Sequence, residues 1–230
     1  MISKLCLTAV VTLCLSASSV MSQGLSSKQA ELIPVAAFTA TGDTKNLAEA
    51  LNKALDAGVS INELKEVLIQ MYAYTGFPRS LTGLNTFLSV LDERKSKGIS
   101  DTEGPAPVVL PAGTDIRKVG TQNQTALIGR PAAGRIYEFA PAIDVFLKEH
   151  LFGDIFSRGV ITVPERELAT ISALAALPAP VQLKSHVRGS LNVGVTPEQL
   201  TELVAILKKR VGEAPGKLAS DAVDSVINSN

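Results

Sequence analysis

Residues Glu31–Glu66 recur at Glu167–Glu202 with a constant shift of 136 positions and no gap. Glu31-Leu32 falls on Glu167-Leu168. Val35, Ala37, Phe38, Ala40, Leu47, Leu51 and Leu55 fall on Ile171, Ala173, Leu174, Ala176, Leu183, Val187 and Leu191. Gly58-Val59-Ser60 falls on Gly194-Val195-Thr196, and Leu64 and Glu66 fall on Leu200 and Glu202. Apolar positions stay apolar and the turn glycine stays glycine. A register held so long makes the chain two copies of one unit. The unit is helical, because Ala and Leu dominate and no sustained alternating pattern appears. A few helices alone cannot bury an apolar face. Two units packed about a pseudo-twofold bury both, so the expected fold is an all-α tandem repeat, and the expected assembly a homo-oligomer. Positions where the copies differ are where function is to be sought.

The helices are bounded by local chemistry. In the first unit, Ala30–Thr41 ends at Gly42-Asp43, and Lys45–Ala57 stops at Gly58 as C-cap. Ser60-Ile61-Asn62-Glu63 is a capping box opening Ile61–Tyr74. Gly76-Phe77-Pro78 breaks the chain before Ser80–Lys97. In the second unit, one amphipathic helix is expected over Phe139–Phe156. Thr162 to Glu165 caps the next, which runs to about Leu177. Val181–Val193 closes at Gly194, and Thr196-Pro197-Glu198-Gln199 opens a helix to about Val211. Residues 98–134 gather Gly, Pro, Thr and Asn and lose the apolar period. The divisions are therefore 1–22, a leader; 23–97, the first unit; 98–134, an extended linker; 135–212, the second unit; and 213–230, a polar tail.

Lys4, the apolar run Leu5–Leu15 and the small residues before Gln23 read as a cleavable signal peptide, predicting a periplasmic or secreted protein with no membrane association after cleavage. Both cysteines, Cys6 and Cys14, lie inside that leader. The remaining chain has no thiol for disulfides, nucleophilic catalysis or metal ligation. Its histidines, His150 and His186, stand far apart, so no metal site is expected. Of 22 basic residues, the leader removes Lys4, leaving 21 against 22 acidic ones. A near-neutral balance without a basic run argues against nucleic acid.

Runs in both units resemble the carboxymuconolactone decarboxylase family. In the second unit they are Phe139 to Asp144, Phe152 to Arg158, Glu165 to Leu168, Leu183 to His186 and Asn192 to Thr196. In the first they are Gly58 to Glu66 and Tyr72 to Arg79. The wider superfamily includes alkylhydroperoxidases similar to alkylhydroperoxidase D, whose motif has Glu, two cysteines and His. At that spacing this chain has Glu167, Ala179, Gln182 and His186, and in the first unit Glu31, Asp43, Asn46 and Ala50. The redox pair is absent, which opposes thiol peroxidase chemistry. The resemblance implies helical alkylhydroperoxidase D-like units and a small carboxylated lactone as substrate, with neither metal nor organic cofactor. It also implies a histidine at His186 and a second one where this chain has Gln70 and Ile206.

Losing CO2 beside a carbonyl leaves an enolate, so an enzyme must hold the carboxylate, stabilise the oxyanion and deliver a proton. His186 is the candidate proton donor and Glu167 its orienting partner. Arg166, Arg188 and Arg79 are candidate carboxylate clamps, with Tyr74 and Gln70 as further contacts. The second unit keeps Glu167 and His186 but has Arg210 where the first has Tyr74. The first has Ala50 where the second has His186. One composite site built from both copies is expected, with His186 facing Tyr72, Tyr74, Gln70 or Arg79; the alternative is decay of one copy into a structural partner. The function expected is cofactor-independent decarboxylation or proton transfer on a small carboxylated lactone or oxo acid. A non-catalytic small-molecule-binding or assembly module is the rival.

Overall fold

The computed structural model describes residues 24–229. Residues 1–22, expected to be a leader, and both cysteines within them lie outside the described residues. The first unit contains α1 (Ser27–Thr41), α2 (Thr44–Asp56) and the long α3 (Ile61–Ser96). The inter-unit segment carries α4 (Ile116–Ile128). Short helices α5 (Arg135–Phe139) and α6 (Pro141–Val145) lead into a π-helix, π1 (Phe146–Ile155). The second unit continues with α7 (Val163–Ala176), α8 (Pro180–Asn192) and α9 (Pro197–Ile206). A π-helical turn, π2 (Leu207–Val211), leads into α10 (Glu213–Ile227).

Capping fixes these starts. Ser26, Ser60, Thr162 and Thr196 each accept from the third helical amide, and the third side chain returns to the cap amide. Helices α1 and α7 are the repeat-related centre and pack along each other. Leu32–Ala40 and Arg166–Ala175 are buried on every face, which marks central helices. Around α1 lie α2 and α3; around α7 lie α8 and α10, with α9 packed on α10, π2 and α1. The two cores exchange side chains: Ala169 and Ala173 enter the first, Ile33 and Ala37 the second. The repeat is therefore built as one body.

The break at Gly76 is a kink inside α3 rather than a gap. Gly76 has φ 78° and ψ 161°, and its repeat mate Gly212 has φ 155° and ψ 164°, a region open essentially to glycine alone. Beyond both glycines the chain turns back as a helix. Gly83, Phe87 and Val90 are buried on α3. Ala219, Val223 and Val226 are buried on α10, at the same shift of 136. The polar tail is thus a folded element of the second unit, packed on α7, α8 and π2.

The inter-unit segment also differs from an extended linker. Its first part runs extended and is tied down: the Ile61 and Asn62 amides donate to the Thr102 and Glu103 carbonyls, both at 2.9 Å. Then Asp115 caps α4 by accepting from the Lys118 amide. The helix expected over Phe139–Phe156 starts at Pro141 and runs on unbroken to Phe156, changing from α to π geometry at Phe146. Pro141 supplies no amide and starts it at N1, and π1 follows.

The fold makes a direct prediction. Val226 is 1% exposed, so Val226→Ala should cost about 1.5–3 kcal/mol, read from the urea midpoint. A tail without tertiary packing would show no shift.

Candidate functional site

Glu167 lies near the start of α7, a helix buried from Arg166 to Ala175, and its side chain is fully buried. Charge buried there needs a partner. His186 of α8 supplies it, with Nδ1 2.7 Å from Glu167 Oε2. A carboxylate accepts, so Nδ1 carries the proton and the other ring nitrogen, Nε2, is left for chemistry. Tyr74, from α3 of the other copy, meets the His186 ring edge to face, centroids 5.5 Å apart. Its hydroxyl is buried without a hydrogen-bond partner of good geometry. Burial, and then the Glu167 charge, push the Tyr74 phenol well above its ordinary value, with Thr170 and Arg166 opposing. Tyr74 stays neutral wherever the protein is folded and active.

Behind these residues runs a buried polar network between copies. Arg166 donates to Glu66 Oε1 at 2.7 Å and to Gln70 Oε1 at 2.9 Å. Gln70 donates to the Thr170 hydroxyl at 2.9 Å and to the Arg166 carbonyl at 3.0 Å. Arg158 adds a second cation on Glu66 at 2.8 Å. Burial pushes the Arg166 guanidinium down and Glu66 pushes it back up; arginine stays charged.

In front of His186 opens a cavity of about 610 Å³. Tyr74, His186, Gln182 and Arg188 form one side. The apolar wall is Leu127 of α4 with Leu147, Leu151 and Phe152 of π1. Gln124, Arg130 and Tyr137 also face it, and the lining includes two arginines and no acidic side chain. Among the described residues, neither Arg130 nor Arg188 has an ion-pair partner, and no group of three or more His, Cys, Asp or Glu could hold a metal ion.

The structure thus brings His186, Glu167, Tyr74 and Arg188 together. Arg166 and Gln70 sit in the network and do not line the cavity. Arg79 is elsewhere, donating to the Thr41 carbonyl at the end of α1. Tyr72 stacks on Phe77 at 4.4 Å and leans on His150. So His186 faces Tyr74 but none of Tyr72, Gln70 or Arg79. Gln124, Arg130 and Tyr137 lie outside the repeat match, which is why comparing the copies misses them. The signal available was Asp115 as an N-cap before Ile116, Val119 and Leu127.

The repeat-related cleft is chemically different. Glu31, mate of Glu167, is held two-pronged by Arg210, mate of Tyr74, at 2.8 and 2.7 Å. Ala50 replaces His186, and the cleft there is about 230 Å³. A carboxylate bound to arginine beside alanine offers no proton shuttle.

The sequence pattern described as the Carboxymuconolactone decarboxylase family matches residues 7–87 and 141–212. The chain is also 31% identical over 91 residues to a 4-carboxymuconolactone decarboxylase of Acinetobacter baylyi (strain ATCC 33305 / BD413 / ADP1), covering 38% of this chain and 68% of that protein.

Two expectations follow from this geometry. Because the folded-state pKa of Tyr74 is raised, its contribution to stability is complete below the unfolded value near 10.0 and is lost as pH rises through the folded value. Alkaline difference spectra should show one tyrosine of three ionising only with unfolding, and Tyr74→Phe should remove that late step. Glu66→Ala strands Arg166 and should cost about 3–5 kcal/mol, measured by chemical denaturation.

Proposed function

The chain belongs to the carboxymuconolactone decarboxylase family, and on that premise we propose that it catalyses cofactor-independent decarboxylation or proton transfer on a small carboxylated lactone or oxo acid. The observation that carries this is the 2.7 Å contact of a fully buried Glu167 with a His186 that lines a cation-bearing cavity. The relative is named as a decarboxylase of 4-carboxymuconolactone, which supports a carboxylated lactone as the first substrate class to test.

The roles follow from the chemistry. Arg188 and Arg130 draw the carboxylate into the cavity and anchor it. When the C–C bond to the leaving carboxylate breaks, its electron pair moves onto the adjacent carbon and the conjugated carbonyl, and CO2 leaves. The resulting enolate takes at carbon the Nε2 proton of the His186 imidazolium, which returns to the neutral Nδ1–H tautomer. Proton transfer without decarboxylation uses the same residue in the opposite sense: Nε2 accepts the proton from the carbon beside the carbonyl. Glu167 holds the ring in its Nδ1–H tautomer and stabilises the imidazolium. Tyr74 is a positioning residue: its ring fixes His186 and its hydroxyl is buried beside Glu167. The apolar wall lowers the local dielectric and strengthens these interactions.

The rival is a binding module. It is favoured by Gln70, which stands where the resemblance implies a second histidine and is occupied by Arg166 and Thr170. Export is supported by the leader-like residues 1–22. A homo-oligomer is supported by Phe139, 87% exposed, and Phe146, 63% exposed, which are large apolar groups suited to burial against a second copy.

The test is turnover of a panel of carboxylated lactones and oxo acids in D2O, with deuterium incorporation and CO2 loss followed by NMR. His186→Ala should lower the rate by about 10²–10⁴-fold with unchanged helical circular dichroism. Undiminished turnover in that variant would remove His186 from the mechanism. Binding without turnover in the wild type would favour the module.

A further inference from the structure

Helix α4 belongs to neither repeat match, yet it closes the cavity. Its buried stripe is Gly120, Gln124 and Leu127, so an amide occupies the centre of a face that packs against protein. The packing is tight. A Cβ on Gly120 would lie 1.6 Å from the Lys148 carbonyl oxygen, and one on Gly189 would lie 3.0 Å from Leu127. Asn123 donates to the Phe152 carbonyl at 2.8 Å, and Asn192 to the Leu127 carbonyl at 2.8 Å. The helix is pinned on both flanks of Gln124.

Gln124 is 2% exposed, lines the cavity, and its Oε1 has no hydrogen-bond partner. A buried carbonyl without a donor is costly, and methionine or leucine would fill the same space without that cost. The same cavity holds the cations that attract a carboxylate. We propose that Gln124 recognises the ligand of this cavity by accepting a hydrogen bond from its hydroxyl group, so that among small carboxylic acids, the lactones and oxo acids of the proposed function included, those bearing a hydroxyl are preferred. This rests on the reading of the cavity as a carboxylate site. The carboxylate pairs with Arg188 and Arg130, the hydroxyl reaches Gln124 Oε1, and the carbon skeleton lies along Leu127 and Phe152. The inter-unit segment is then the specificity element, while the repeats supply the proton-transfer couple.

Calorimetric titration of the full chain with matched acids tests this: malate against succinate, and mandelate against phenylacetate. The hydroxylated member should bind the wild type about tenfold tighter or more, since a site built to pair a hydroxyl discriminates against its absence. Gln124→Leu should abolish that preference while still binding the deoxy acid. Gln124→Met, close in shape, should match or exceed the wild-type Tm without ligand, because it removes an unpaired buried group. A clear loss of Tm in Gln124→Met makes the glutamine structural and overturns the proposal. So does a hydroxyl preference that survives Gln124→Leu. Equal binding of both members, lost in Arg188→Ala, overturns the role of Gln124 but leaves the carboxylate site standing. No binding of any of the four acids at millimolar concentration overturns both.

Discussion

Everything about the site depends on a helix, buried from Arg166 to Ala175, that carries two buried charges near its start. Helix α7 is enclosed from Arg166 to Ala175, so Arg166 and Glu167 must each find a partner inside the protein. Adjacent residues on a helix point about 100° apart, so one partner cannot serve both. Arg166 turns to Glu66 and Gln70 of the first copy. Glu167 turns to His186 of its own copy. The first contact locks the copies together, and the second fixes an imidazole at the wall of a cavity. Stability and chemistry thus share one structural cause.

The copies diverged around this constraint rather than against it. At the mate of Glu167, Glu31 is also partly enclosed, but its partner is Arg210 arriving from the other copy. Each copy therefore settles its carboxylate with a cation-capable group, and the choice decides what the cleft can do. Arginine does not give up its proton near neutral pH; histidine does. Exchanging Tyr74 for Arg210 and His186 for Ala50 turns one cleft into an ion pair and leaves the other with a titratable group. The larger cavity also owes its far wall to α4 and π1, which lie outside the spans Glu31–Glu66 and Glu167–Glu202.

The all-α class and most helix starts were legible because capping boxes and the glycine stops are local, and because the repeat checks each reading against its copy. Family membership was legible for the same reason: the runs around Glu167, His186 and Tyr72–Arg79 are contiguous. Helix α10 was missed because its buried stripe is small, with Ala219, Ala222, Val223 and Val226 among polar residues; extending the shift past Gly212 would have found it. Helix α4 was missed because glycine and glutamine occupy its inner face, which erases the apolar period. Arg79 and Gln70 could not be placed from sequence. Arg79 lies beyond the kink at Gly76, whose angle decides where it points, and Gln70 is claimed by Arg166 and Thr170, partners brought to it only by the packing of α7 on α3.

Buried polar atoms without partners are usually rare and scattered, since each opposes folding. Among the described residues, Tyr74 Oη, Arg166 Nε, Glu167 Oε1 and Gln124 Oε1 belong to residues on or directly behind one cavity, while a fifth such atom, Asp144 Oδ1, lies away from it and is 2.6 Å from the Lys148 ammonium. Those at the cavity come from α3, α7 and α4, so no single misfit helix accounts for them. Packing alone would favour apolar replacements at Tyr74 and Gln124, and the surrounding contacts are tight enough to enforce them. A fold that keeps unmatched donors and acceptors around one cavity, with a histidine–carboxylate couple beside it, forgoes stability at the place where its chemistry is sited. The repeat-related cleft makes the internal comparison. There Glu31 has both oxygens matched by Arg210, so the same scaffold can satisfy a carboxylate fully, and the unmatched oxygen of Glu167 reflects what surrounds it in this copy.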